Sequence, residues 1–260
     1  YTHGLRLIAA KSAAKESFSG VVNNVAHYTS GKLPKRQAEQ LAQRASQDFD
    51  AFYQQKDQHP ENANDLLVLT TDAKGIVVRQ DDLREATRKA AKNAQHKKQT
   101  RLSPGEKKNR KRMAQVASVY DVQPHIRSAE YIMDRQEVES CDLIKRPKPK
   151  NKRVWASIEK EAGDVISEMF AEANRRDPNK EKQWLALVDG NRDQIKKIEN
   201  SAATLGVEMV IVMDFIHVLE YLWKAAYGLF EENSPEVERW VNSSALKLLD
   251  SKTSRVTADM

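Results

Sequence analysis

A single cysteine, Cys141, among 260 residues rules out a disulfide framework within the chain and any cysteine-rich zinc site. A reducing compartment suits such a chain. The sequence also lacks an uninterrupted apolar run of about 18 residues, the least that reads as a membrane-crossing helix. Its nearest approach, "FIHVLEYLWKAAYGLF" at 215–230, is punctuated by His217, Glu220 and Lys224 and reads as a buried helix of a soluble domain. There is no signal-peptide pattern and no internal repeat. His3, His27, His59, His96 and His125 have no mutual spacing that suggests a metal cluster. The first residue is Tyr, both ends stop abruptly, and the sequence reads as a piece of a longer protein.

What the chain has in quantity is charge. Charged residues make up 31% of it and leave a net charge of +6, a balance that permits an anionic partner. The positive charge is uneven. Arg84, Arg88, Lys89, Lys92, Lys97, Lys98, Arg101, Lys107, Lys108, Arg110, Lys111 and Arg112 stand against only Glu85 and Glu106, an excess larger than that of the whole chain. Such a stretch either grips phosphates or is a solvated insertion. A second basic tract, "KRPKPKNKR" at 145–153, is proline-spaced and is expected to be extended and to pack poorly.

The length accommodates one large domain with an accessory module. Residues 17–28, "SFSGVVNNVAHY", predict a helix capped by Ser17. After "TSGKLP", Pro34 suits the first turn of a second helix. That helix puts Ala38, Leu41, Ala42, Ala45, Phe49 and Phe52 on one face, and Arg36, Gln40, Gln43, Arg44 and Gln47 on the other. The outline is that of a helix-turn-helix or of an ordinary helical hairpin. Arg and Gln on the open face can make two-pronged contacts with base edges. The polar stretch 56–65 reads as a linker, dividing the chain into 1–60 and 61–260.

Beyond the linker the pattern predicts a strand over 66–71, a tight turn at Lys74-Gly75 and a second strand over "IVV". The basic stretch 81–112 reads as helical as far as "LSPGE", and a third strand follows over 113–122. Residues 123–151 read as irregular, and a long helix is expected from Val154 to Asp177-Pro178. Then come a strand at 184–188, a helix at 192–205 closed by Gly206, a strand at 207–213, a helix at 215–230 and a last helix from Pro235 to Asp250. Hairpin-joined strands run antiparallel and helix-joined strands parallel. The expected class is therefore α/β: a mixed sheet with packed helices, and the N-terminal helical pair outside it.

Three apolar runs each end in an aspartate: "LLVLTTD" in Asp72, "WLALVD" in Asp189 and "VEMVIVMD" in Asp214. Ligand sites in parallel α/β units lie beyond the carboxyl ends of strands. Asp189 belongs there, and Asp72 joins it if the two strands are parallel neighbours. Two carboxylates a few ångströms apart resist joint ionisation. A divalent cation relieves this, and Mg²⁺ takes one or two carboxylates plus water and substrate phosphate. Against this stands turn and capping chemistry, with Asp189 capping the 192–205 helix and Asp214 the 215–230 helix. Asp72 has no helix to cap. His217, Glu220 and Lys224 share one helical face, which either meets solvent or looks into the site.

Long phrases of the chain resemble the ISKra-type insertion-sequence transposases: "LPKRQAEQLAQRASQDFDAFY", "SPGEKKNRKRMAQVASVYDV", "NKRVWASIEKE", "ALVDGN" and "MDFIHVLEYLWKAA". The likeness runs from about residue 17 to 249. It implies a helix-turn-helix module followed by a ribonuclease-H-like core, with one acid on the first strand and another after the fourth. Asp72 and Asp189 would then be catalytic and metal-binding, the first two acids of an Asp-Asp-Glu triad holding two Mg²⁺ or Mn²⁺ ions in the complete enzyme. No segment matches the family's third acid, so this piece alone is expected to be inactive. Asp214 and His217 have the spacing of the Cys-x-x-His pair of related mutator-like transposases, with Asp replacing Cys, and are auxiliary candidates.

The activity implied is metal-dependent DNA strand cleavage and strand transfer at the element ends, by a homodimer or larger assembly in the bacterial cytoplasm at the nucleoid, without a membrane partner. Arg36, Gln40, Gln43 and Arg44 would meet the terminal repeats. Lys97, Lys98, Arg101, Lys107, Lys108, Arg110, Lys111 and Arg112 would hold duplex phosphates, as would Lys145, Arg146, Lys148, Lys150, Lys152 and Arg153. The rival readings are a non-catalytic DNA-binding or assembly protein on a degenerate ribonuclease-H-like scaffold, and a structure-specific nuclease of the same fold. Replacing Arg36 and Arg44 by Ala is expected to weaken binding to terminal-repeat DNA more than to random duplex in a gel-shift titration. Equal losses on both would reduce the module to a backbone grip.

Overall fold

Thr2 and Ser17 each begin a helix in the same way, with a hydroxyl that accepts a first-turn backbone N–H (Leu5 N at 3.4 Å, Gly20 N at 3.3 Å). They open α1 (His3–Ala13) and α2 (Phe18–Thr29). Ser30 closes α2 in the left-handed conformation (φ 53°), and Pro34 precedes α3 (Lys35–Ala45). Ala9, Val21, Val25, Leu33, Ala38 and Leu41 are the buried core that these three helices share. The expected second helix is broken: the chain turns at Ser46–Asp48 and resumes as α4 (Phe49–Gln55). Phe49 and Phe52 are therefore exposed rather than part of the apolar face. The computed structural model describes residues 1–56, 62–93, 110–133, 146–232 and 234–258. The chain divides into two compact units, Tyr1–His59 and Pro60–Met260.

The second unit is α/β. Its five-stranded mixed sheet contains β1 (Leu66–Val77), β2 (Lys111–Val122), β3 (Lys150–Ser157), β4 (Trp184–Val188) and β5 (Met209–Met213), in the order β3-β2-β1-β4-β5. β1 with β2 and β2 with β3 are antiparallel; β1 with β4 and β4 with β5 are parallel. α5 (Glu85–Asn93) follows β1, and α6 (Ala129–Met133) lies between β2 and β3. α7 (Ala162–Arg176) and α8 (Arg192–Leu205) are the crossovers into β4 and β5. Alternate strand residues Leu67, Leu69, Ala117, Val119, Trp184, Ala186 and Val188 face α7 and α8, burying Val165, Ile166, Met169, Phe170, Ile198 and Ala202 with them. α9 (Phe215–Leu229), α10 (Pro235–Leu249) and α11 (Thr253–Ala258) form a separate core around Leu222, Ala226, Val237, Val241, Ala245 and Val256.

Two sequence expectations fail here for physical reasons. Lys74-Gly75 is not a turn: β1 runs on through Val77, with Gly75 opposite Met113 and Asp72 opposite Val116. Glycine there meets a close neighbour rather than a reversal, since an added Cβ would lie 2.9 Å from Lys111 Cδ. The tract at 150–157 is not loose coil running into a helix at Val154. It is β3, and α7 begins only at Ala162, behind a reciprocal capping box between Glu161 and Asp164. Trp155 reaches the core from a strand opposite Ala117. The strand also bulges between its pairings with Val119 and Asp121, where Asn151 takes φ 49°.

What holds β3 is a buried ionic network. Glu172 of α7 is almost wholly buried; its Oε1 accepts from Arg176 Nε at 2.8 Å and Nη2 at 2.7 Å, and its Oε2 from Arg153 Nη1 at 2.6 Å and from Arg175. Arg176 Nη1 also donates to the Asn151 carbonyl at 2.8 Å, fastening the bulge. Below it, Lys182 Nζ donates to Asp121 Oδ1 at 2.5 Å, and Trp184 Nε1 to Asp177 Oδ2 at 2.8 Å. Breaking one partner of such a network strands the others in low dielectric. Glu172→Ala is expected to lower stability by about 3–5 kcal/mol in urea denaturation; a loss under about 1 kcal/mol would show that the arginines are adequately solvated without it.

Candidate active site

β1 and β4 pair one-to-one from Leu67↔Trp184 to Thr70↔Leu187. Continuing that register two residues sets Asp72 level with Asp189, on strands about 4.8 Å apart. Parity agrees with register. Asp72 follows Val68 and Thr70, and Asp189 follows Leu185 and Leu187, on the face opposite the Leu67–Trp184 core. β4 and β5 pair as far as Val188↔Met213, and Asp214 N donates to the Val188 carbonyl at 2.7 Å. The three aspartates thus stand in one row on adjacent strands, Asp72 within β1 just past its pairing with β4, and Asp189 and Asp214 directly after β4 and β5.

Local hydrogen bonds separate their roles. Asp72 is exposed, and its Oδ1 accepts the Ala73 N–H at 2.6 Å. Asp189 is half-buried, and its Oδ1 accepts the Asn191 N–H at 3.1 Å. Asp189 is not the cap of α8. Asn191 is, accepting from Asp193 N at 3.1 Å and Gln194 N at 3.2 Å, so Asp189 is spared the capping task. Gly190 between them takes φ +96°, and a Cβ on it would sit 2.5 Å from Met213 Cε. Asp214 does cap its helix, accepting from Ile216 N at 2.9 Å. His217 lies 3.7 Å from Glu220, and with Lys224 this polar stripe of α9 is largely in solvent. Among the described residues, no three His, Cys, Asp or Glu side chains gather closely enough to hold a metal ion.

Gln194 was not among the sequence candidates. From the first turn of α8 its Nε2 donates to the Thr71 carbonyl at 3.1 Å, tying the loop after Asp189 to the residue before Asp72. Its Oε1 is buried without a hydrogen-bond partner among the described residues. Each of the three aspartates in the row thus gives one oxygen to a backbone N–H and keeps the second, and those of Asp72 and Asp189 are the pair in question. They are hard donors of the kind Mg²⁺ and Mn²⁺ take, so the residues present fit a two-carboxylate divalent site.

The DNA-contact candidates are dispersed. Arg36, Gln43 and Arg44 are exposed on α3 and Gln40 is half-buried. Lys97, Lys98, Arg101, Lys107, Lys108 and Lys145 lie outside the described residues. Arg110 precedes β2, and Lys111 and Arg112 are its first two residues. Arg153 is committed to Glu172 and Lys150 to Asp65 (3.5 Å), which removes both from the free basic tract. Lys152 instead lies over the Tyr120 ring, 5.5 Å from its centroid. No described helix is long and apolar enough to cross a membrane. Compared with known family models, curated proteins and solved structures, the chain matches none.

Gly190→Ala would force a side chain into left-handed backbone and into Met213. It is expected to cost about 1–3 kcal/mol in thermal or urea unfolding. A neutral result would mean that the loop carrying Asp189 relaxes freely.

Proposed function

We propose that the chain is the DNA-processing part of an insertion-sequence transposase, with Asp72 and Asp189 as its paired metal-binding acids. The observation that carries this reading is the parallel β1–β4 register, which, continued two residues past Thr70↔Leu187, sets the two residues level and on one face where the pairing of β1 with β4 ends. Further support comes from the strand order β3-β2-β1-β4-β5, antiparallel on one side of β1 and parallel on the other. That is the arrangement expected of a ribonuclease-H-like core, which places an acid on the first strand and another after the fourth. The α2–α3 pair would then be a helix-turn-helix reading the terminal repeats through Arg36, Gln40, Gln43 and Arg44.

In this mechanism the chain's own residues present and position. Each Oδ1 is held by a backbone N–H, of Ala73 or of Asn191, which orients the second oxygen of each carboxylate. Gln194 keeps the two strand ends from drifting apart. Bound divalent cations would supply Lewis acidity for cutting a phosphodiester and for the later attack of a 3′-hydroxyl on target DNA. Lys111, Arg112 and the other cations neutralise the strand that lies across the rim, positioning it without reading sequence.

A non-catalytic scaffold is the second reading, favoured because Asp214, the next acid in the row, serves as a helix cap and, among the described residues, no three such side chains gather closely enough to hold a metal ion. Mn²⁺ titration by calorimetry separates the two. Under the transposase reading the wild-type chain binds Mn²⁺, and Asp72→Ala or Asp189→Ala abolishes the heat. In a longer product that supplies a third acid, the same substitutions abolish cleavage of a labelled element-end duplex. No Mn²⁺ binding by the wild type, or binding indifferent to both substitutions, would favour the scaffold.

A further inference from the structure

A concave feature lies on the same face of the sheet as the aspartates, toward the other end of β1. β2 leaves the sheet at Val122 into a loop bearing His125 and Arg127, and the chain returns through residues 146–149 into β3. Between loop and sheet is a cavity of about 500 Å³ with Leu66, Tyr120 and Val122 among its walls. Its rim carries Arg127, Arg146 and Lys148, all exposed, and among the described residues no Asp or Glu lines it. None of these three cations pairs with a carboxylate among the described residues. The contrast with the opposite face is sharp, since there Arg153 is neutralised by Glu172.

We propose that this cavity seats one nucleotide of a single nucleic-acid strand, its phosphate held by Arg127 and Arg146 and its base or sugar against the apolar wall. The inference rests on the reading of the protein as one that processes DNA. Guanidinium forks match phosphate oxygens two at a time, so a pair of them without a carboxylate partner among the described residues offers a seat to an external anion. The walls supply the other half of the ligand. Leu66, Val122, Pro147 and Pro149 are apolar, and near them Ile126, between His125 and Arg127, is 96% exposed among the described residues. Charged groove plus apolar or aromatic platform is the means by which single strands are bound without sequence preference.

Size and position select a single strand over a duplex. The volume falls within the roughly 300–1,000 Å³ of sites that enclose one small-molecule-sized ligand, whereas a paired stack could not enter. Tyr120 is opposite Val68, four residues before Asp72 on β1. At about 3.3 Å per residue the cavity is about 13 Å along the strand from the acid pair, a distance that a short single strand spans. Burial pushes the Tyr120 phenol above its ordinary value, the Asp214 carboxylate adds to the rise and Arg146 opposes it. The cavity floor is therefore a neutral hydroxyl, which does not repel phosphate.

The test is fluorescence anisotropy of a labelled 12-nucleotide dT strand with the whole chain, without divalent cation and over a range of salt. Arg127→Ala with Arg146→Ala is expected to weaken binding at least tenfold at low salt. It should also reduce the log–log salt slope by about 1.4, the loss of two phosphate contacts on a single strand. Lys196→Ala with Lys197→Ala on α8, behind the sheet, removes the same charge and should change little. Matched thermal melts confirm that both variants fold. Binding by the arginine variant equal to wild type, or an equal loss in the lysine variant, overturns the cavity assignment. Asp72→Asn with Asp189→Asn removes negative charge near the strand and should not weaken single-strand binding. Loss of Mn²⁺ binding with intact single-strand affinity therefore reports on the acid pair alone, and the reverse reports on the cavity alone.

Discussion

The parallel pairing of β1 with β4 is the constraint on which the rest depends. Because side chains alternate across a strand, a slip of one residue would bury Asp72 in the core and expose the Leu67–Leu69–Thr71 face. The register is held from both sides. On one face, Leu67 and Leu69 pack with Trp184, Ala186 and Val188 beneath α7 and α8, an apolar arrangement that no slipped pairing could reproduce. At the end of the strands, the Gln194 side chain bonds the Thr71 carbonyl and pins the same rung from the following helix. Positions 72 and 189 are brought level by apolar packing on the opposite face of the sheet.

The sheet has opposite characters at its two ends. Toward the amino ends of β1 and β4, three buried carboxylates are partnered: Asp121 with Lys182, Asp177 with Trp184 and Lys182 N, Glu172 with its arginines. That end is tightly cross-linked between strand, helix and loop. At the carboxyl ends the acids sit in or near solvent, each steadied by a short-range backbone hydrogen bond. A stiff base beneath an open rim is how scaffolds carry reactive side chains. Asp214 shows how little divides structure from chemistry in such a row: it shares level and parity with Asp72 and Asp189, yet one of its oxygens caps the first turn of α9.

What could be read in the sequence was what local chemistry encodes. β4 and α8 fall at the expected residues because apolar alternation, the Asn191 cap and the left-handed Gly206 are all nearby signals. β3 was hidden because its inward positions are Arg153 and Trp155, and the arginine is acceptable there only because Glu172 comes back to meet it from α7. Lys74-Gly75 looked like a turn because the partner of β1 starts only at Lys111, beyond any local window. Asp72 and Asp189 could be singled out as candidates, but their meeting depends on a pairing between distant segments. The caps could be misassigned by two residues: Asp189 looked suited to cap α8, whereas Asn191 does so.

The central claim is the adjacency of residues 72 and 189, and a cross-link measures it most directly. In a chain with Cys141→Ser, Asp72→Cys and Asp189→Cys would place two thiols level on neighbouring parallel strands. Their Cα separation should fall within the roughly 4.4–6.8 Å that a disulfide accepts. Mild oxidation followed by mass spectrometry is expected to find an intramolecular disulfide joining the two positions in nearly every molecule. Thiols that stay free under those conditions would contradict the register and remove the basis for a shared metal site.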